Sequence, residues 1–177
     1  MAESFWADPN LEPKRVYRWL FFFAGVPQWL VKKVTKPSFE VSETVHEFLI
    51  HKFYYPGRVT WNEVKVTLAD PVQPDSAATM MQLLQNSGYR LPLDPNTTQT
   101  ISKVHAVNAL GRVLIQQLGP DGESIEEWTL VNAWIKSVEL GELDYSSDDM
   151  IDVSLTIRYD WAEINGEALG RSAVGPT

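Results

Sequence analysis

From residue 151 to residue 161 the chain alternates without a break, with Ile151, Val153, Leu155, Ile157, Tyr159 and Trp161 set against Asp152, Ser154, Thr156, Arg158 and Asp160. A strand sorts side chains with a period of 2, so this segment turns a branched and aromatic face to a core and a charged, hydroxylated face elsewhere. On a helix both sets would spread around the circumference. Upstream, Gly141-Glu142-Leu143-Asp144-Tyr145-Ser146-Ser147-Asp148-Asp149 supplies a glycine and short side chains that bond back to the backbone, which predicts a turn launching the strand.

Read in order, the chain predicts further strands. Residues 15–23 are rich in aromatic and branched side chains, with Val16, Arg18, Leu20 and Phe22 on one side and Tyr17, Trp19, Phe21 and Phe23 on the other. Gly25-Val26-Pro27 predicts a turn and residues 29–34 a second strand, close enough to the first for a hairpin. Residues 39–55 mix apolar and charged side chains without a clean period and close on the turn signal Tyr55-Pro56-Gly57, so this stretch reads as extended and partly exposed. Residues 61–68 return to period 2, with Val64, Val66 and Leu68 inward and Glu63, Lys65 and Thr67 outward.

Past Pro71 and Pro74, Asp75 is placed to cap a helix in which Ala77, Met80, Met81 and Leu84 recur at helical spacing until Gly88. Its methionines read as gap-filling core. Residues 89–100 read as a loop, and residues 101–109 stay open between strand and coil. Residues 113–118, the turn Gly119-Pro120-Asp121-Gly122 and residues 127–138 predict a hairpin whose second strand bends near Asn132. Residues 1–14 read as an extended arm with Phe5 and Trp6 as anchors, and residues 163–177 as a flexible tail.

A chain of 177 residues has the size of one domain and buries roughly 70% of its unfolded surface. With no cysteine there is no disulfide framework, no thiolate zinc site and no cysteine nucleophile. A net charge of −8 argues against general binding to DNA or to an anionic membrane, since both require a cationic face. The apolar run over residues 19–31 is broken by Gly25, Pro27 and Gln28 and falls short of the 18 or so residues of a spanning helix, so no membrane insertion is expected. Glu3 and Asp8 precede that run and no small-residue cleavage site follows it, so it does not read as a signal peptide.

Catalytic chemistry is not assembled in this sequence. His46 and His51 stand five apart, whereas the zinc-protease helix needs a spacing of four; on a helix they diverge by about 140°, and on one strand they point to opposite faces. His105 stands alone. Asp144, Asp148, Asp149 and Asp152 lack the glycine and distal glutamate of a helix–loop–helix calcium loop and read as a solvated turn. No nucleophile elbow, phosphate-cradling loop or dinucleotide fingerprint appears. The expectation is a non-enzyme with no catalytic residue, cofactor or metal.

The order of elements from Trp128 through Asn132, Trp134 and Val138, then Gly141-x-Leu143-Asp144-Tyr145, Ser146-Ser147-Asp148 and the alternating strand to Trp161, resembles the C-terminal half of tail tube proteins of contractile-tailed bacteriophages, which are related to type VI secretion tube proteins. A fainter likeness runs from about Leu11 to Leu118. The resemblance implies a mainly β (α+β) fold, an antiparallel β-barrel or sandwich with one short helix, spanning residues 1–177 as one domain. It implies a structural virion protein of an injection machine: a homohexamer whose strands join edge to edge into a ring barrel, with rings stacking into the inner tube that conducts the genome during DNA ejection. Joining edges also removes an aggregation hazard. The implied partners are sheath, baseplate and tail-terminator proteins, with genomic DNA passing without specific binding. The implied location is the virion tail tube, assembled in the host cytoplasm.

Within that frame residues 41–58 correspond to a long loop that reaches the next ring, the alternative being a plain surface hairpin. Phe48, Ile50, Phe53 and Tyr54, with Phe5 and Trp6 of the arm, are the expected inter-ring or subunit contacts, because no intramolecular period buries them. Six copies at −8 give a ring near −48 (roughly), and an acidic or neutral lumen lets DNA slide. Asp152, Ser154, Thr156, Arg158 and Asp160 are the candidate lumen face, though the same alternation fits an outer solvent face. Two other readings are a tube-initiation or tail-completion ring, and a monomeric small-ligand β-barrel whose cavity is lined by Trp19, Phe21 and Trp161. Oligomeric state discriminates them.

Overall fold

The computed structural model describes residues 12–93 and 96–165. Among these, the chain forms β1 (Trp19–Phe22), β2 (Val31–Val34), β3 (Phe39–Phe48), β4 (His51–Trp61), β5 (Val64–Ala69), α1 (Ser76–Asn86), α2 (Lys103–Leu110), β6 (Val113–Leu118), β7 (Ser124–Val131), β8 (Trp134–Glu139), β9 (Asp152–Arg158) and β10 (Trp161–Ile164). The strands build one four-stranded sheet in the order β1-β6-β7-β10, a second in the order β2-β5-β9-β8, and a separate ribbon of β3 and β4. Every pairing is antiparallel. The mainly β, antiparallel architecture expected from the patterning is therefore present, as two sheets rather than a barrel closed within one chain.

The alternating strand is central to the second sheet. Val153, Leu155 and Ile157 are fully buried, and so are Val64, Val66 and Leu68 on β5 beside them. The first sheet contributes Phe21, Val113, Ile115, Leu130 and Ala162 to the same core, and Met80, Leu83 and Leu110 of the helices seal it. Each fully buried branched or aromatic side chain adds about 1.5–3 kcal/mol, which makes this common interior the main source of stability.

Several boundaries differ from expectation for identifiable reasons. The alternation persists to Trp161, but the strand does not: β9 ends at Arg158, the chain turns at Tyr159-Asp160, and β10 pairs with β7 in the other sheet. The second strand of the predicted 113–138 hairpin divides in the same way at Asn132, whose φ of 53° breaks the ladder between β7 and β8. The two crossings are tied together. The Asp160 amide donates to the Val131 carbonyl at 3.0 Å, and the Asn132 side-chain amide donates to the Asp160 carboxylate at 2.7 Å.

The predicted hairpin of residues 15–34 does not form, because β1 pairs with β6 and β2 with β5. Residues 15–18 make a turn instead, and the first part of the predicted second strand is a short 3-10 turn, Gln28–Leu30. Gln28 takes the place of a strand partner for Phe21: its side-chain carbonyl accepts from the Phe21 amide at 2.7 Å and its amide donates back to the Phe21 carbonyl.

The turn signal at Tyr55-Pro56-Gly57 lies inside β4 rather than at a chain reversal. Pro56 sits opposite Glu43 where the register shifts, and Gly57 admits a close approach, since a Cβ there would fall 2.4 Å from Ser42 Oγ. The Ser42 hydroxyl accepts from the Arg58 amide at 2.8 Å. The true reversal is Leu49-Ile50, between the paired Phe48 and His51.

Asp75 caps α1 as expected, accepting from the Ala78 amide at 2.8 Å. Residues 101–109, open between strand and coil, contain a second helix, α2. It is capped by Ser102, whose hydroxyl accepts from the His105 amide at 3.2 Å, and it stops at Gly111 with φ 71°. Phe5, Trp6 and most of the predicted tail lie outside the described residues.

Candidate assembly surfaces

The ribbon of β3 and β4 is the least buried part of the fold, with every residue from Phe39 to Thr60 exposed. The cross-strand register sorts its side chains into two faces. Phe48 lies beside His51 and His46 beside Phe53 on one face, while Val45 and Tyr54, with the Glu47–Lys52 ion pair of 3.0 Å, lie on the other. Three of the expected contact residues therefore divide between faces, Phe48 and Phe53 on one and Tyr54 on the other. Ile50 stands at the tip, 90% exposed, beside Leu49 at 88%. Leu49 also holds φ 53°, a left-handed conformation that disfavours a large side chain. An apolar, strained tip is unfavourable in water alone.

On a single strand the spacing of His46 and His51 sends them to opposite faces, but the two lie on different strands of the ribbon. The reversal at Leu49-Ile50 falls between them and returns both to one face. Among the described residues no group of three or more metal-ligating side chains gathers, there or elsewhere.

The polar face of β9 is half-buried under its neighbours. Lys32 bonds Asp152 at 2.6 Å, Arg158 lies 3.6 Å from Glu63, and Lys65 and Thr67 of β5 stand beside Thr156 and Ser154. A shallow groove of about 300 Å³ on this face is lined by Lys33, Lys65, Glu139, Ser154 and Thr156. The face is of mixed charge rather than uniformly acidic. Asp160 stands past the end of β9, at the corner, where Lys103 and Asn132 hold its carboxyl below the usual carboxylate range.

Phe21 and Trp161, expected to share a cavity lining, are placed apart in burial: one lies in the core and the other at the surface. Phe21 is packed in the core with its ring 5.0 Å from Phe23, whereas Trp161 is 41% exposed on β10 and its indole bonds Glu163. Sequence reasoning missed an apolar groove of about 380 Å³ beside β8, lined by residues of α1, α2 and β8. The amphipathic face of α1 was visible, but α2, which forms the other wall, was not.

One cluster ties the sheets together. Glu126 of β7 accepts from Lys14, from Lys36 at 2.7 Å and from the Trp128 indole, with its side chain only 8% exposed. Burial alone would push this carboxyl up; the three donors outweigh it and hold the pKa at about 2.

No protein-family model matches the chain, and no curated protein matches its sequence. Its fold does have solved counterparts. It matches a chain of the anti-feeding prophage (AFP) baseplate with a TM-score of 0.61 and 18% identity, over 87% of this chain and 96% of that one. A chain of the sheath/tube terminator of an extracellular contractile injection system, PVC, in its extended state, gives 0.64 and 14% over 88% and 98%. A chain of the PVC sheath-tube complex in the extended state gives 0.61 and 15% over 92% and 98%. The chain thus shares its fold with components of contractile injection systems, the class to which the C-terminal pattern points.

Proposed function

We propose that this chain is a structural tube subunit of a contractile injection system, such as a phage tail, in which six copies form a ring and rings stack into a conduit for genome ejection. The observation that carries this reading is the exposed apolar ribbon with its strained Leu49-Ile50 tip, which needs a partner surface to be stable in water. The second sheet supports ring closure. Its edges are β2 and β8, and strand directions alternate across it, so the β8 edge of one copy beside the β2 edge of the next continues the antiparallel order. Sheath, baseplate and terminator proteins are the partners of this role. The particle is assembled in the host cytoplasm and carried in the virion tail.

Negative-stain electron microscopy and sedimentation of the purified protein test the reading. Sixfold rings or tubes are expected, and a species of one subunit at every protein concentration and ionic strength overturns it.

In such a ring the polar face of the second sheet lines the lumen, with Asp152, Ser154, Thr156 and Arg158 on it and Asp160 at its rim. Like charge repels the phosphate backbone, whereas added cations hold it. Replacing Asp152 and Ser154 with lysine, and leaving Asp160 in place at the corner it ties, is expected to slow DNA release from assembled particles several-fold with particle yield unchanged. Ejection at the normal rate from such particles removes the lumen assignment and leaves the tube.

A further inference from the structure

The groove beside β8 runs along a strand edge rather than over a sheet face. Successive strand side chains point to opposite faces, so a groove on one face touches alternate residues. This one is lined by all five consecutive residues from Trp134 to Val138. Among the described residues no strand pairs with that edge of β8. Met81 and Leu84 of α1, Ile101 and Leu140 complete an apolar wall.

The rim is acidic. Glu139 ends β8, and Glu142, Asp144, Asp148 and Asp149 follow it, in a stretch from 139 to 151 without a lysine, arginine or histidine. None of the five forms an ion pair among the described residues. Gly141, with φ 88°, brings the start of this loop back against the Asp152 carbonyl, 2.9 Å from where a Cβ would stand, so the loop leaves the groove at Leu140 close to the start of β9.

The opposite edge of the same sheet carries the complement. Lys32 and Lys36 are engaged within the subunit by Asp152 and Glu126, but Lys33 of β2 is exposed and forms no ion pair among the described residues, and Trp29, two residues before the strand, is 68% exposed on the turn leading into it. We infer that Trp29 of one copy inserts into the α1–α2–β8 groove of the next, with Lys33 of β2 facing the acidic loop, and that this aromatic anchor fixes the ring junction. A groove of about 380 Å³ has room for an indole. Tryptophan is the side chain that most often anchors an interface when its pocket excludes water. The inference rests on the ring proposed above and names the contact that would hold it.

The test replaces Trp29 with the photo-crosslinker p-benzoylphenylalanine and irradiates an equal mixture of isotope-labelled and unlabelled copies under ring-forming conditions. Crosslinks between labelled and unlabelled chains, mapping by mass spectrometry to residues 76–86 or 134–140, are expected; the thioethers of Met80 and Met81 are reactive targets there. In parallel, Trp29→Ala is expected to raise the concentration for half-assembly of rings at least tenfold with an unchanged circular dichroism spectrum, while the control Trp161→Ala leaves assembly unaffected. Rings that form normally but crosslink from position 29 elsewhere, or Trp29→Ala rings as stable as the parent's, overturn the inference and leave the ring intact. Absence of any ring from the parent protein overturns both.

Discussion

Glu126→Gln lowers the stability of the folded chain at pH 7 by about 2 kcal/mol and flattens its acid dependence. The folded carboxyl ionises at about 2 against an ordinary 4.5, so its ionised form is favoured in the native state. A depressed pKa contributes stability that is fully present above the unfolded value and is lost as pH falls through the folded one. The window here runs from about 4.5 down to about 2. A shift of that size corresponds to roughly 3 kcal/mol by linkage, reduced because Lys14 and Lys36 are half exposed and return easily to water. Urea denaturation at a series of pH values measures it. The parent should weaken progressively across that window, and the two proteins should converge near pH 2. Identical midpoints at pH 7 with parallel pH profiles would remove Glu126 from its role as the tie between the first sheet and the segments carrying Lys14 and Lys36.

In the proposed tube, Phe48→Asp combined with Ile50→Asp is expected to abolish ring stacking while leaving single rings and the fold in place. Both side chains are exposed in the isolated subunit, so the folded monomer loses almost nothing when they change. In a stacked assembly each would be buried against the next ring, where losing an apolar anchor costs about 2 kcal/mol. Two lost anchors amount to about 4 kcal/mol per contact, roughly a thousandfold in association. Electron micrographs should show discrete rings in place of tubes, with thermal midpoints within a degree or two of the parent. Tubes of normal length from this variant would assign stacking to another surface.

The strands that build the core were legible because one face of each is buried and the other is not. β5 and β9 carry that contrast residue by residue. Asp75 announced α1 through its cap. What the sequence hid is local structure held by distant partners. α2 is short and carries the β-branched Val104 and Val107, so its period is weak, and its visible signals were only the Ser102 cap and the Gly111 stop. The ribbon reversal uses Leu49-Ile50, residues that no turn preference selects. Pro56 and Gly57, the residues that do signal a turn, serve a register shift within a strand. The exposed apolar side chains of the ribbon could be named from the sequence, but their faces depend on register. The groove beside β8 needs α1, α2 and a strand edge from three separate stretches of chain, so no local pattern could have shown it.

The order β2-β5-β9-β8 also sets a timetable for synthesis. Residues 64–69 acquire their second neighbour only when residues 152–158 arrive between β5 and β8. Until then the growing chain carries an open strand edge with one apolar face, and this long-range pairing is intrinsically slow to close. Before residue 152 is synthesised the chain cannot hold the completed sheet. A chain truncated before residue 152 leaves β8 without a strand neighbour and β5 with β2 alone, an unfinished half-sheet rather than a shorter building block.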